Sequence, residues 1–336
     1  MSDEVKTQSG RGSIAEAGGG YDIASLIASG FSKYGLILAL VLLILFLSIT
    51  AENFFTVSNM MNILLQSSNI GIMAAGLTLV IICAEIDLSV ASIQSMGAVV
   101  VALLLKEYGV PIVPAVLATL ILGVLLGGVS GVFVGWFAIP AFILTLAMDS
   151  LARGGALILT GEQSIFGLPE AFSVVGQGYL GPFPMAAVIM GVVFLVAHLI
   201  LSRTVLGTNI YAVGGNKEAA RVAGVNVFAV KLFVLVFSAF CGALAGVVMA
   251  SRLMAAQAIM GMFDLMDVIA AVVIGGASLL GGEGRIIGTV IGTLIIACIR
   301  NGLNLLGIAA DWQLLAVGAI IILAVLLDYV GKKRTA

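Results

Sequence analysis

Apolar runs long enough to cross a lipid bilayer recur along most of the chain, and little room remains between them for a soluble catalytic domain. They fall near 34–50, 66–84, 90–106, 112–136, 139–160, 184–202, 227–251, 265–280, 285–305 and 311–330. A spanning helix needs about 20 predominantly apolar residues. A water-soluble core could not hide so much apolar surface. Of 336 residues, 61% are apolar and only 10% charged, against roughly 25% charged in a soluble domain. The 42 glycines fit the same solvent, because small residues let membrane helices pack closely. The sequence predicts an all-α, polytopic membrane protein with about ten transmembrane helices. Two regions, 66–106 and 265–305, are interrupted mid-course.

Orientation follows the basic residues, which concentrate on the cytoplasmic side. With a cytoplasmic N-terminus, ten spans bring the C-terminus back to the same face. Lys6, Arg11, Lys33, Arg203, Lys217, Arg221, Lys231, Arg285, Lys332, Lys333 and Arg334 then face the cytoplasm, and only Lys106, Arg153, Arg252 and Arg300 fall elsewhere. Residues 1–33, with Gly18-Gly19-Gly20, read as a flexible cytoplasmic tail and not as a signal peptide. Residues 34–330 form the membrane domain, and 331–336 a short cytoplasmic tail. The net charge of −2 gives no indication of a nucleic-acid partner. Cys83, Cys241 and Cys298 lie in apolar stretches without CxxC spacing and read as packing residues. His198 has no evident companions for a metal site.

Polar groups at membrane depth are costly, so each is a functional candidate. Glu85, Asp87 and Ser89 interrupt the second and third spans. They border either a wet route for solute or an interfacial turn that caps two helices. Asn301 and Asn304 place amides in the ninth span, and Asp264 and Asp267 stand where the eighth begins. Asp149 and Arg153 are four apart, acid before base, the spacing of a structural ion pair. The cytoplasmic loop near 203–226 contains Gly215, Asn216, Glu218, Ala219, Ala220, Arg221 and Gly224. Asn216 suits a helix N-cap and Gly224 a helix stop; the segment is a docking helix or a solvated connector.

Glycines recur every four residues at Gly123, Gly127, Gly131 and Gly135, and in the pairs Gly242/Gly246 and Gly288/Gly292. These are packing signals. The glycine-rich run Gly275–Gly284 lacks the lysine of a phosphate loop, and close helix approach around a bend explains it better. No catalytic constellation emerges, so an enzyme is not expected.

The strings Ile86-Asp87-Leu88-Ser89-Val90, Gly215-Asn216-x-Glu218-Ala219-Ala220-Arg221-x-x-Gly224, Ile269–Gly284 and Asn301-Gly302-Leu303-Asn304 resemble the permease subunit of simple-sugar ABC importers. The likeness runs from about Phe54 to about Leu327. It implies two permease copies, or one with a sister permease, in a bacterial inner membrane, docked on two cytoplasmic ATPase subunits. A periplasmic binding protein would deliver a small neutral solute. Gly215–Gly224 would then be the ATPase-coupling loop, and Glu85, Asp87, Ser89, Asn301 and Asn304 the residues of the translocation path. ATP and Mg would sit on the partner ATPase, with no cofactor and no metal on this chain. Two departures bear on the solute: Ala84, Glu85 and Ala91 replace family glycines, and Asp264-Leu265-Met266-Asp267 stands where Tyr-Glu-Leu-Asp is common. Rival readings are an importer of the same fold for nucleosides or branched-chain amino acids, and an ion-coupled secondary transporter.

Overall fold

The computed structural model describes the backbone of residues 23–309, 311–319, 322 and 326, and side chains from Gly35 onward. The expected tails at 1–33 and 331–336, and the later part of the expected span 311–330, lie largely or wholly outside these residues. The chain divides into two compact units, Met1–Gly35 and Leu36–Ala336. In the first, the described backbone is helical from Ile23. Everything below concerns the second.

The α-helices begin with α1 (Ile23–Thr50), α2 (Val57–Ile82), α3 (Val90–Lys106), α4 (Ile112–Trp136) and α5 (Ala141–Thr160). A strand β1 (Ile165–Phe166), a 3-10 turn and the short α6 (Ser173–Gln177) follow, then the paired strands β2 (Tyr179–Leu180) and β3 (Phe183–Pro184). Next come α7 (Met185–Arg203), α8 (Val205–Gly215), α9 (Lys217–Val222) and α10 (Val227–Leu253). Strand β4 (Ala255–Ala256) pairs antiparallel with β1, ahead of α11 (Asp264–Ile274) and α12 (Ile286–Leu305). Residues 311–319 are helical again. Pro111, Pro140 and Pro184 stand just ahead of α4, α5 and α7, where a missing N–H costs nothing.

Among the described residues, six helices combine at least 18 residues with the hydropathy of a membrane span. The apolar stretches Gly35–Thr50 and Val90–Lys106 are shorter. Two boundaries differ from the sequence reading. Helix α2 starts at Val57, nine residues before the apolar run, because Ser58, Asn59 and Asn62 lower the hydropathy of its first turns without ending it. Helix α11 stops after 11 residues. At a rise of 1.5 Å per residue it is about 16 Å long, half the thickness of a hydrocarbon core. The glycines that follow it turn the chain instead of continuing the helix.

The core forms around α2 and α10. From Ser67 to Ile82 every residue of α2 is buried, and the cluster built on it takes in Val193 and Phe194 of α7, Val234 and Leu235 of α10 and Val272 of α11. Each glycine row meets a partner. A Cβ on Gly123 would meet Ala239 O, and one on Gly127 would lie 2.7 Å from Leu235 O, so α4 rests directly on the backbone of α10. Gly242 and Gly246 admit Val90, Gln94 and Ala98 of α3, and Gly288 and Gly292 admit Gly275 and Ala271. The opposite face of α4 presents Val113, Leu117, Ile121 and Leu125 outward, each more than half exposed. In a membrane protein that face meets lipid tails.

Candidate functional site

The break between α2 and α3 is a closed joint. Helix α2 ends with Ala84 N–H bonded to Ile81 O (2.9 Å) and Glu85 N–H to Val80 O (3.1 Å). This double closure needs a left-handed residue, usually glycine; here Ala84 adopts it, with φ 59°. Asp87 is 1% exposed. Its Oδ1 accepts from Ser89 N–H (2.8 Å) and Ser89 Oγ–H (2.6 Å), and its Oδ2 from Ser238 Oγ–H of α10 (2.7 Å). Thr145 of α5 clasps the same turn: its Oγ1 accepts from Leu88 N–H at 3.1 Å. Glu85 forms a largely buried ion pair with Lys231 in the first turns of α10. Buried polar and charged groups are tolerated when their bonding capacity is met: Glu85 is met by an ion pair and Asp87 by three hydrogen bonds.

The 203–226 loop folds as α8 and α9 and leans on this joint. Asn216 Oδ1 accepts from Ala219 N–H (2.9 Å), the N-cap its position predicts. Gly224 ends α9 at φ 85°, with Val225 N–H bonded to Ala220 O (3.0 Å). Ala220 is buried, whereas Gly215, Asn216, Glu218, Ala219, Arg221, Val222 and Gly224 face outward. At the C-terminal end of α8, next to that cap, Gly214 lies so close to Ile82 O and Gly282 N that a side chain could not fit. Gly282 N–H donates to Ile82 O (2.8 Å), and Tyr211 Oη–H donates to Gly284 O (2.7 Å). Burial pushes the Tyr211 phenol above its ordinary value, partly offset by Arg285, so it stays a neutral donor. Three segments distant in sequence therefore share one backbone junction: the end of α2, α8, and the 275–285 bend.

A polar cavity of about 320 Å³ opens about 20 Å along α2 from that junction, among α2, α10, α11 and α12. Gln66, Asn69, Arg252, Asp264, Arg300 and Asn304 line it. Asp264 Oδ2 accepts from Asn69 Nδ2–H (2.9 Å) and Gln94 Nε2–H (3.3 Å). Gln313, also on the wall, donates to Asn304 Oδ1 (2.8 Å). Arg300 pairs with the fully buried Asp267 at 2.5 Å. Gln94 itself sits under the loop at Gly261, where φ is 66° and a Cβ would come within 2.6 Å of its Oε1.

The sequence-derived candidates divide between these places. Glu85, Asp87 and Ser89 belong to the joint. Asn304 lines the cavity, but Asn301 does not: it is buried in a reciprocal amide pair with Asn59, at 2.8 and 2.9 Å, tying α12 to the start of α2. Arg153 Nη2 lies 3.3 Å from Asp149 Oδ1 on α5. Gln66, Asn69, Arg252, Arg300 and Gln313 were missed as site residues. A signal for two of them was present, since Arg252 and Arg300 are among the four basic residues that break the charge asymmetry.

Residues 59–325 match the family described as branched-chain amino acid transport system / permease component. The ribose import permease protein of Haemophilus influenzae is 43% identical over 303 residues, covering 88% of this chain and 93% of the relative. The D-allose transport system permease protein of Escherichia coli is 36% identical, covering 90% and 93%. The xylose transport system permease protein of Haemophilus influenzae is 31% identical, covering 90% and 97%. No solved structure matches the chain. With identity spread over nine-tenths of its length, and with the joint, the outward-facing helix pair and the enclosed α2–α10 core falling inside the matched region, the chain belongs to the permease family of ABC importers, among its simple-sugar members.

Proposed function

We propose that this chain is the membrane-crossing subunit through which an ATP-driven importer moves a neutral pentose or hexose into the bacterial cytoplasm. The reading rests above all on α8 and α9. They present Glu218, Arg221 and the 89%-exposed Val222 outward while their inner side meets the end of α2 and the 275–285 bend. A partner pushing on that surface moves the bundle directly. In this reading the loop is cytoplasmic, both termini lie on the same side, about ten segments enter the inner membrane, and two ATPase subunits dock on a pair of permeases. ATP and Mg belong to those partners, and this chain performs no hydrolysis. A periplasmic binding protein brings the sugar to the opposite face, where α10 ends. Loaded binding protein and ATP together stabilise one of two arrangements, by no more than their difference in affinity for the two. The names of the relatives, ribose, allose and xylose permeases, favour a monosaccharide.

The test is reconstitution of the assembled importer in vesicles. ATP should drive ribose, allose or xylose uptake, and Glu218→Lys with Arg221→Glu should lower both uptake and ATPase stimulation tenfold or more with insertion intact. Unchanged values would remove the docking assignment, and uptake independent of ATP would favour ion coupling. The family description also names branched-chain amino acids. Calorimetric titration of the cognate binding protein decides between them: leucine binding without sugar binding would move the substrate assignment there.

A further inference from the structure

The geometry points to the cavity among α2, α10, α11 and α12 as a site within the permease that holds a neutral polyhydroxylated solute in transit, with Asp264 as its principal hydroxyl acceptor. This rests on the sugar-permease reading and adds the residues that would touch the solute.

Three observations carry it. The first is charge balance. Arg252 and Arg300 are matched by Asp264 and by Asp267 behind Arg300, so no net charge draws in an ionic ligand, yet strong donors and acceptors are concentrated together. A sugar hydroxyl donates once and accepts up to twice. Vicinal hydroxyls between a carboxylate and a guanidinium use both capacities at once.

The second is unspent hydrogen-bonding capacity. Both amide contacts to Asp264 fall on Oδ2, leaving Oδ1 for a ligand hydroxyl. Asn69 is 5% exposed and lines the cavity, and its Oδ1 has no partner; Gln94 Oε1, Arg300 Nε and Asp267 Oδ1, the carboxylate oxygen turned away from the Arg300 ion pair, also lack hydrogen-bond partners. A buried polar atom without a partner is costly, and natural proteins keep few of them. Four such atoms on or beside the cavity wall mark a place where a hydrogen-bonding ligand passes.

The third is size and placement. A volume of about 320 Å³ lies at the small end of ligand cavities, roughly 300–1,000 Å³, which suits a monosaccharide. It sits at the end of α10 remote from α8 and α9, where α11 begins. Asp264 and Asp267 occupy the first turn of that half-length helix, so movement of the 275–285 bend at its other end would shift Asp264 relative to Arg252 and Arg300. Binding and release would follow from that displacement.

The experiment uses the complete importer in vesicles, with radiolabelled ribose, allose and xylose as probes, and compares wild type with Asp264→Asn, Asp264→Glu and Asn304→Ala. Gel filtration of the assembled complex reports folding. The expected result is at least a fivefold fall in sugar moved per ATP hydrolysed for Asp264→Asn, a two- to threefold fall for Asn304→Ala, and partial recovery for Asp264→Glu. Wild-type ratios in both Asp264→Asn and Asn304→Ala overturn the assignment alone. Uptake and ATPase activity falling in parallel also overturn it, since that is a coupling defect. A wild-type importer that moves none of the three sugars overturns the sugar reading and this assignment with it.

Discussion

Asp87 shows how an ionisable residue in a membrane protein can be structural. Its carboxylate takes three hydrogen bonds from Ser89 and Ser238, and no group of the solute cavity touches it. Asparagine would still accept through one oxygen, and the serine hydroxyl can reverse to accept from the amide. Asp87→Asn should therefore keep ATP-driven uptake within about threefold of wild type. Asp87→Ala would leave buried donors without an acceptor and should cost about 3 kcal/mol, read as a lowered melting temperature of the detergent-purified permease. Loss of uptake in the asparagine variant with the fold intact would instead assign the charge a transport role. Ala84 beside it carries a left-handed backbone conformation that costs about 1–2 kcal/mol away from glycine. The family's preference for glycine there is thus a backbone requirement that this chain meets at a cost.

At the scale of elements, hydrophobicity does little to choose partners, because lipid is as apolar as a helix face. Shape chooses them. The row Gly123, Gly127 and Gly131 is answered on α10 by Ala243, Ala239 and Leu232. Gly127→Val would push its side chain into the α10 backbone and should cost about 1–3 kcal/mol. The adjacent Gly128, with nothing within 4 Å, should accept valine with little change. Thermal unfolding of the two variants side by side checks this, and equal melting temperatures would mean that α4 does not rest on α10. The same logic explains α11: Ala271 O lies so close to Gly292, and Gly275 O to Gly288, that α11 and α12 act as one packed pair, although α11 alone is too short to span.

In the whole molecule, the proposed docking surface on α8 and α9 and the proposed solute cavity stand at opposite ends of the bundle. Between them run α2, α10 and the α11–α12 pair, all continuous with the Ile82–Gly214–Gly282 junction. Tyr211 fastens α8 to the far side of that junction through Gly284. Tyr211→Phe removes one hydrogen bond, worth about 1 kcal/mol net. That should lower sugar moved per ATP hydrolysed by up to about fivefold, with assembly unchanged by gel filtration. An unchanged ratio would place the transmission elsewhere, with the Glu85–Lys231 pair the next connection to break.

Much of this was legible without coordinates. Membrane solvent, helical class and the glycine rows follow from composition and spacing, since bilayer thickness and backbone hydrogen bonding leave few alternatives. The cap at Asn216 and the stop at Gly224 are local chemistry, so the sequence alone determined them as well. What only the tertiary structure decided is which polar residues share a space. Asn301 and Asn304 are three apart, yet one clamps Asn59 and the other lines a cavity. Asn69, Gln94, Arg252, Asp264 and Arg300 come from five helices or their ends and mean nothing together until packed. A helix period places a residue on a face; only close packing against a particular neighbour determines whether that face is core, joint or route.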